Sequence, residues 1–243
     1  MRPIVSLAAF LTLLPSLAAA QESCDLVSTL GAPNGSPRLQ AVAPGQKRVH
    51  FVKDAAHGKG CPNDTAACAA NGYVVANDRV VVTGTQGAYA CATFTGGSPN
   101  FSTTTGLLPL SALVDAPQAA EGGWTGHWRS GDEQEIDIKA AAGNAITLQG
   151  NASSGGGDPA RVASGGVNMG QIDATLTPAN DQAAFSDGDN GQTAPYDANP
   201  GDDTICRVRL WRLGRYLAAA DNLACGGVGV TFTGVYAREK PGK

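Results

Sequence analysis

The chain has 243 residues, a net charge of −4 and only 16% charged side chains, a balance that excludes a long disordered polyelectrolyte. Alanine and glycine supply 40 and 32 residues against six Phe, five Tyr and three Trp, so the 42% hydrophobic share overstates the material available for a core. With 14 Pro beside those glycines, long helices are disfavoured and turn-rich β-structure is expected.

Residues 1–20 read as an export signal. Arg2 precedes the apolar run 4–17, and Ala18 and Ala20 supply small residues ahead of a cut before Gln21. That run is too short to span a bilayer, and no second apolar stretch is long enough. Residues 21–243 are therefore expected to be periplasmic or secreted, with no membrane span. Six cysteines remain, and an even number in an exported chain implies disulfides, with fifteen connectivities open to six. Cys206 and Cys225 bracket an expected hairpin, and Cys61 and Cys68 flank a short polar loop, which leaves Cys24 for Cys91. Zinc is disfavoured, because no Cys-x-x-Cys occurs and His50 and His57 are not at finger spacing. Cys24 follows Gln-Glu-Ser rather than the small residues of a lipid-modification site.

In residues 21–115, β-like runs fall at Val49–Lys53, Tyr73–Val75, Arg79–Gly84, Ala88–Thr95 and Thr103–Leu108. Turn-formers Asn77-Asp78, Gln86-Gly87 and Gly96-Gly97 separate most of them, and five short strands suit a small barrel. On Asn77-Asp-Arg-Val-Val-Val, Gly87-Ala-Tyr-Ala-Cys-Ala and Thr105-Gly-Leu-Leu-Pro-Leu-Ser-Ala-Leu113, this half resembles a bacterial SH3-like domain. The resemblance implies a binding module, for cell-wall peptide or a neighbouring protein, rather than a catalyst. Leu107 stands where that family carries a tryptophan, so a spacer role stays open beside ligand binding.

The segment 115–123 has the Pro/Ala/Gly character of a boundary. In residues 116–243, eight β-like runs follow: Trp124–Arg129, Glu133–Lys139, Ala145–Ala152, Val167–Leu176, Gln182–Ser186, Ile205–Arg212, Arg215–Ala220 and Val228–Ala237. Ile136 and Ile138 alternate with Glu135 and Asp137, and Ile172, Ala174 and Leu176 alternate with polar neighbours. Eight antiparallel strands suffice to close an up-and-down barrel. Gly126-His127-Trp128 and Phe232-Thr-Gly-Val-Tyr-Ala-Arg238 make this half resemble the calycin barrels of lipocalins and avidins. That resemblance implies Arg238 packed over Trp128 at the closed end, with Gly126 beside them. The stretch from Cys206 through Asp221-Asn222-Leu-Ala-Cys225-Gly-Gly to Tyr236 resembles the C-terminal hairpin of uncharacterised exported proteins of proteobacteria, and it reads as structural.

Charge is polarised within this half. Residues 116–205 carry three basic and thirteen acidic side chains, and residues 206–243 carry seven basic and two acidic. Compensation between neighbouring strands accounts for this. So does a cationic face of Arg207, Arg209, Trp211, Arg212 and Arg215 for an anionic partner. Net acidity and export disfavour nucleic acid.

Candidate chemistry is sparse. Asp187, Asp189, Asp197, Asp202 and Asp203 invite calcium, yet Gln192 and Ala198 occupy the glycine and glutamate positions of the EF-hand loop, and an acidic solvated loop is preferred. Asp132, Glu133, Glu135 and Asp137 have no identifiable opposing carboxylate for glycoside hydrolysis. No Gly-x-Ser-x-Gly occurs, and His50, His57 and His127 do not cluster by spacing. No catalytic residue, cofactor or metal site is assigned. The expectation is an all-β, non-catalytic envelope binding protein whose partner is a cell-wall polymer, an envelope protein such as a wall hydrolase it inhibits, or a small ligand in the barrel. The alternative is a carboxylate-dependent hydrolase of envelope glycans.

Overall fold

A computed structural model describes residues 23–32, 35–97, 101–188 and 192–239. The expected export signal at 1–20 lies outside the described residues, as do Asp189 and Gly191 of the acidic loop. The fold is all-β: the described residues form two antiparallel sheets, two helices of five residues and one 3₁₀ turn at Leu110–Ala112.

The first sheet contains β1 (Arg38–Val42), β2 (Val49–Val52), β3 (Ala69–Val74), β4 (Arg79–Gln86), β5 (Tyr89–Thr95), β6 (Thr103–Pro109) and β7 (Leu113–Asp115), in the order β3-β2-β6-β5-β4-β1-β7. It curls so that Val74 near one edge and Leu113 near the other share a core with Val49, Phe51, Val80, Val82 and Leu108. Seven strands stand here, against five expected. The added β1 is a five-residue run between Pro37 and Pro44-Gly45, and β7 has only three residues, too short for a periodic pattern. Ahead of this sheet, α1 (Leu26–Leu30) is capped by Asp25, whose carboxylate accepts from the Ser28 backbone N–H at 2.8 Å.

The second sheet contains β8 (Gly126–Ser130), β9 (Gln134–Ala140), β10 (Ile146–Ser154), β11 (Asn168–Leu176), β12 (Gln182–Asp187), β13 (Thr193–Ala194), β14 (Arg207–Leu213), β15 (Tyr216–Asp221) and β16 (Gly234–Arg238). Helix α2 (Pro159–Ala163) sits in the β10–β11 connection. The order is β11-β10-β9-β8-β16-β15-β14-β12-β13. Its first and last strands in sequence pair through Trp128 with Arg238 and Arg129 with Ala237. Its two edges meet where the Thr175 N–H donates to Thr193 Oγ1 at 2.8 Å, giving a nearly closed barrel. The sheet has nine strands where eight were expected, the extra one being the two-residue β13. The last strand begins at Gly234 rather than Val228, because residues 222–233 form a loop.

The alternation seen in the sequence appears as inside and outside. Ile136, Ile138, Leu148, Ile172, Phe185, Leu210, Phe232 and Tyr236 fill the barrel with Trp128. At one end, Arg238 lies 4.5 Å above the Trp128 ring and Arg212 lies 5.2 Å above Trp124. Arg238 also donates to the Gly123 carbonyl. A Cβ on Gly126 would approach the Arg238 side chain at 3.2 Å, so glycine leaves room for the stacked guanidinium. Burial, and the charge of Arg212 after it, lower the Arg238 pKa from its ordinary value.

A third core joins the sheets. The outer faces of β14–β16 place Trp211, Leu213, Tyr216, Ala218, Ala220 and Val235 against Leu30 of α1, Leu39, Val81 and Ala116. Arg209 reaches across the joint and donates to the Ala32 carbonyl just beyond α1 at 2.7 Å. Thr95 Oγ1 donates to the Val235 carbonyl at 3.0 Å. Three disulfides complete the frame: Cys24–Cys91, Cys61–Cys68 and Cys206–Cys225, the same pairs that spacing singles out in the sequence. They fit an oxidising compartment. Among the described residues no helix is long and apolar enough to cross a membrane.

Leu30→Ala is expected to cost about 2–5 kcal/mol, and because the third core binds both sheets, urea unfolding should remain one transition by fluorescence and circular dichroism. Replacing Cys206 and Cys225 together by Ala should lower stability by about 3 kcal/mol in the same assay, with the barrel still folded.

Candidate binding groove

The loop between β2 and β3 is built around a buried carboxylate. Asp54 accepts from the Cys24 N–H at 2.8 Å, from the His57 N–H at 2.9 Å and lies 2.6 Å from His57 Nδ1. Burial works against the Asp54 charge, but the Cys24 N–H and the two His57 contacts outweigh it and hold the carboxyl below its ordinary value. Lys53 N–H donates to the Cys68 carbonyl at 2.8 Å, and the Cys61–Cys68 bond closes the loop. Within it, Asn63 Oδ1 accepts from the Thr65 N–H at 2.9 Å, and Tyr89 donates its hydroxyl to Asp64 at 2.8 Å. That hydrogen bond, with burial after it, raises the Tyr89 pKa.

This loop forms one wall of a cleft of about 400 Å³, lined by Asp64, Thr65, Arg48, His50, Pro109 and Ser111 among others. His50 is directly opposite Tyr73 across the β2–β3 pair, with ring centroids 5.7 Å apart. The Arg48 guanidinium lies 4.4 Å above the Tyr73 ring, and Tyr73 is 43% exposed. The cleft thus holds a cation, a carboxylate and an imidazole, with the Tyr73 ring beside the cation and the imidazole. It suits a ligand that carries both charge signs. Leu107 is fully buried among Cys24, Cys61, Cys68 and Cys91 and contributes nothing to this surface.

Arg48, Asp64, Tyr73 and Tyr89 are not singled out in the sequence. Arg48 and His50 are two apart and so share a strand face, but their approach to Tyr73 depends on a pairing whose register shifts between His50 and Val52.

The cationic face does not assemble. Arg207 is buried and donates to the Asn199 and Asp202 carbonyls. Arg209 serves the third core and lies over Trp211 and Tyr196. Trp211 is buried in that core. Arg212 turns to the other side of β14, pairs with Asp181 and donates to the Gly122 carbonyl. Arg215 donates to the Tyr216 hydroxyl at 2.8 Å. Alternation puts Arg207, Arg209 and Trp211 on one side of β14 and Arg212 on the other, and the three arginines are engaged with loop carbonyls.

The carboxylates also go to separate tasks. Asp132, Glu133 and Glu135 line a second cleft of about 180 Å³ with Arg129, Asn151, Ser153 and Met169. Glu133 accepts from the Gly157 N–H at 3.1 Å and so holds the loop before α2. Asp137 lies 2.9 Å from His127 Nδ1, and Glu135 and Glu239 lie 3.7 and 3.5 Å from Nε2. Asp202 accepts from the Thr204 N–H and hydroxyl. Among the described residues no three His, Cys, Asp or Glu converge as metal ligands, and no cysteine is free. Comparison with protein-family models, curated proteins and solved structures finds no match.

Asp54→Asn should cost about 1–3 kcal/mol at neutral pH. Because the folded carboxyl titrates below its ordinary value of 3.8, its contribution is present above that value and fades as pH falls through the lower one. Thermal melts of wild type and variant should therefore converge as pH drops below about 4.

Proposed function

We propose that the chain is a non-catalytic binding protein of the bacterial cell envelope, exported and disulfide-bonded. Its N-terminal half is an SH3-like module, and its C-terminal half is a calycin-like barrel of eight principal strands with β13 as an addition. The groove holds peptide-bearing wall polymer. The observation that carries this reading is the cleft itself: Arg48, His50 and the Asp64 carboxylate line one depression, with the exposed Tyr73 ring beside Arg48 at its rim and one wall held by the Cys61–Cys68 bond and by Asp54. Wall peptides bear amino and carboxyl groups, which match a carboxylate and a guanidinium respectively. A loop already ordered before binding loses little conformational entropy when a ligand arrives.

Co-sedimentation with purified wall sacculi tests the groove. The full chain should partition into the pellet. Arg48→Ala with Tyr73→Ala should weaken that binding about tenfold, equivalent to about 1.4 kcal/mol, with an unchanged melting temperature. Absence of the full chain from the pellet would count against wall binding. Equal binding by the double variant would move the contact elsewhere.

A further inference from the structure

The loop at 222–233 presents apolar side chains to solvent while being among the most firmly held segments of the barrel. Cys225 is bonded to Cys206. Asn222 Oδ1 accepts from the Arg207 N–H at 2.9 Å, and its Nδ2 donates to the Ile205 carbonyl at 2.8 Å. Asp221 Oδ1 accepts from the Thr233 hydroxyl at 2.6 Å. Gly226 lies against Gly170 so closely that a Cβ on it would fall 2.7 Å from the Gly170 Cα. The Gly227 N–H donates to the Met169 carbonyl at 3.1 Å, and Asn168 Nδ2 donates to the Val228 carbonyl at 2.6 Å. Yet Val228 is 88% exposed, Met169 61% and Leu223 54%, and Leu223 holds a φ of 63°. A branched residue rarely adopts that conformation, and a loop this constrained cannot fold these side chains away.

Met169 also lines the acidic cleft with Asp132, Glu133 and Glu135, so the apolar loop and the carboxylates share one end of the barrel. Arg129 is the single cation in that lining, and its guanidinium sits over the Phe101 ring at 5.3 Å. The nearby cations are engaged with carbonyls: Arg161 of α2 donates to Gly166, and Arg207, at the start of β14, donates to Asn199 and Asp202.

We propose that this end of the barrel is a docking surface for a basic protein, with Val228, Leu223 and Met169 as apolar contacts and Asp132, Glu133 and Glu135 as charged ones. Charge complementarity selects a basic partner and speeds encounter, while the rigid loop supplies an apolar contact at low entropic cost. The surface is separate from the groove, and it stands or falls independently of wall binding.

The test is calorimetry of the full chain against lysozyme, ribonuclease A and cytochrome c as basic probes, with ovalbumin as an acidic one, at about 50 mM salt. At least one basic probe should bind with a micromolar Kd, and ovalbumin should not. Val228→Asp should weaken that binding at least about tenfold with an unchanged melting temperature. Asp132→Asn with Glu133→Gln should weaken it and flatten its salt dependence. The proposal is overturned by an absence of binding to every basic probe at about 100 μM. It is equally overturned by binding that Val228→Asp leaves unaltered, which is charge adsorption alone. Self-association of the chain that Val228→Asp abolishes would make a second copy the occupant and overturn it too.

Discussion

Strands β14 to β16 are buried on both faces, and the rest of the structure is arranged around that constraint. Val208, Leu210, Leu217, Ala219 and Tyr236 point into the barrel. Trp211, Leu213, Tyr216, Ala218 and Val235 point the other way, into the joint with α1 and β1. A half-buried antiparallel strand alternates apolar and polar, whereas Tyr216–Ala220 of β15 and Gly234–Ala237 of β16 carry no charged side chain. The run Tyr216-Leu-Ala-Ala-Ala has this character because small residues permit close approach on one side while the barrel is filled on the other. Burial of apolar surface contributes about 25 cal/mol per Å², so the joint couples the stability of the two sheets.

The arginines of this region tie loops to those strands. Arg207, Arg209, Arg212 and Arg238 each donate to loop carbonyls, and two of them also lie over tryptophans of the barrel end. The charge polarity of the C-terminal half is in part paired: Arg212 forms an ion pair with Asp181, and Arg207 reaches the acidic loop at the Asp202 carbonyl.

Both candidate interaction surfaces share a design in which rigidity precedes contact. The groove borders a loop closed by Cys61–Cys68 and tied to Asp54. The apolar loop is anchored at one end by Cys206–Cys225, across the β14–β15 hairpin, and zipped onto β11 through Gly170.

Several features were legible locally. Period-two alternation located most barrel strands, because in-and-out direction is settled by adjacent residues. Loop lengths singled out the three cysteine pairs, and Arg238 lies over Trp128 because the first and last barrel strands must meet for the sheet to close. Short β1 and β7 were hidden, having too few residues for a pattern. The groove was hidden as well: it joins Arg48, Asp64 and Tyr73 through a shifted strand register and a closed loop, neither of which has a local signature. Likewise Val228 looks like an ordinary strand residue in Val-Gly-Val, and only the packing of Gly226 on Gly170 turns it outward. An all-β chain, disulfide pairs and a polarised charge distribution are written locally, since these depend on composition and near neighbours. Which arginines are consumed and which side chains meet at a surface depends on strand order and register across the whole chain, so both emerge only on folding.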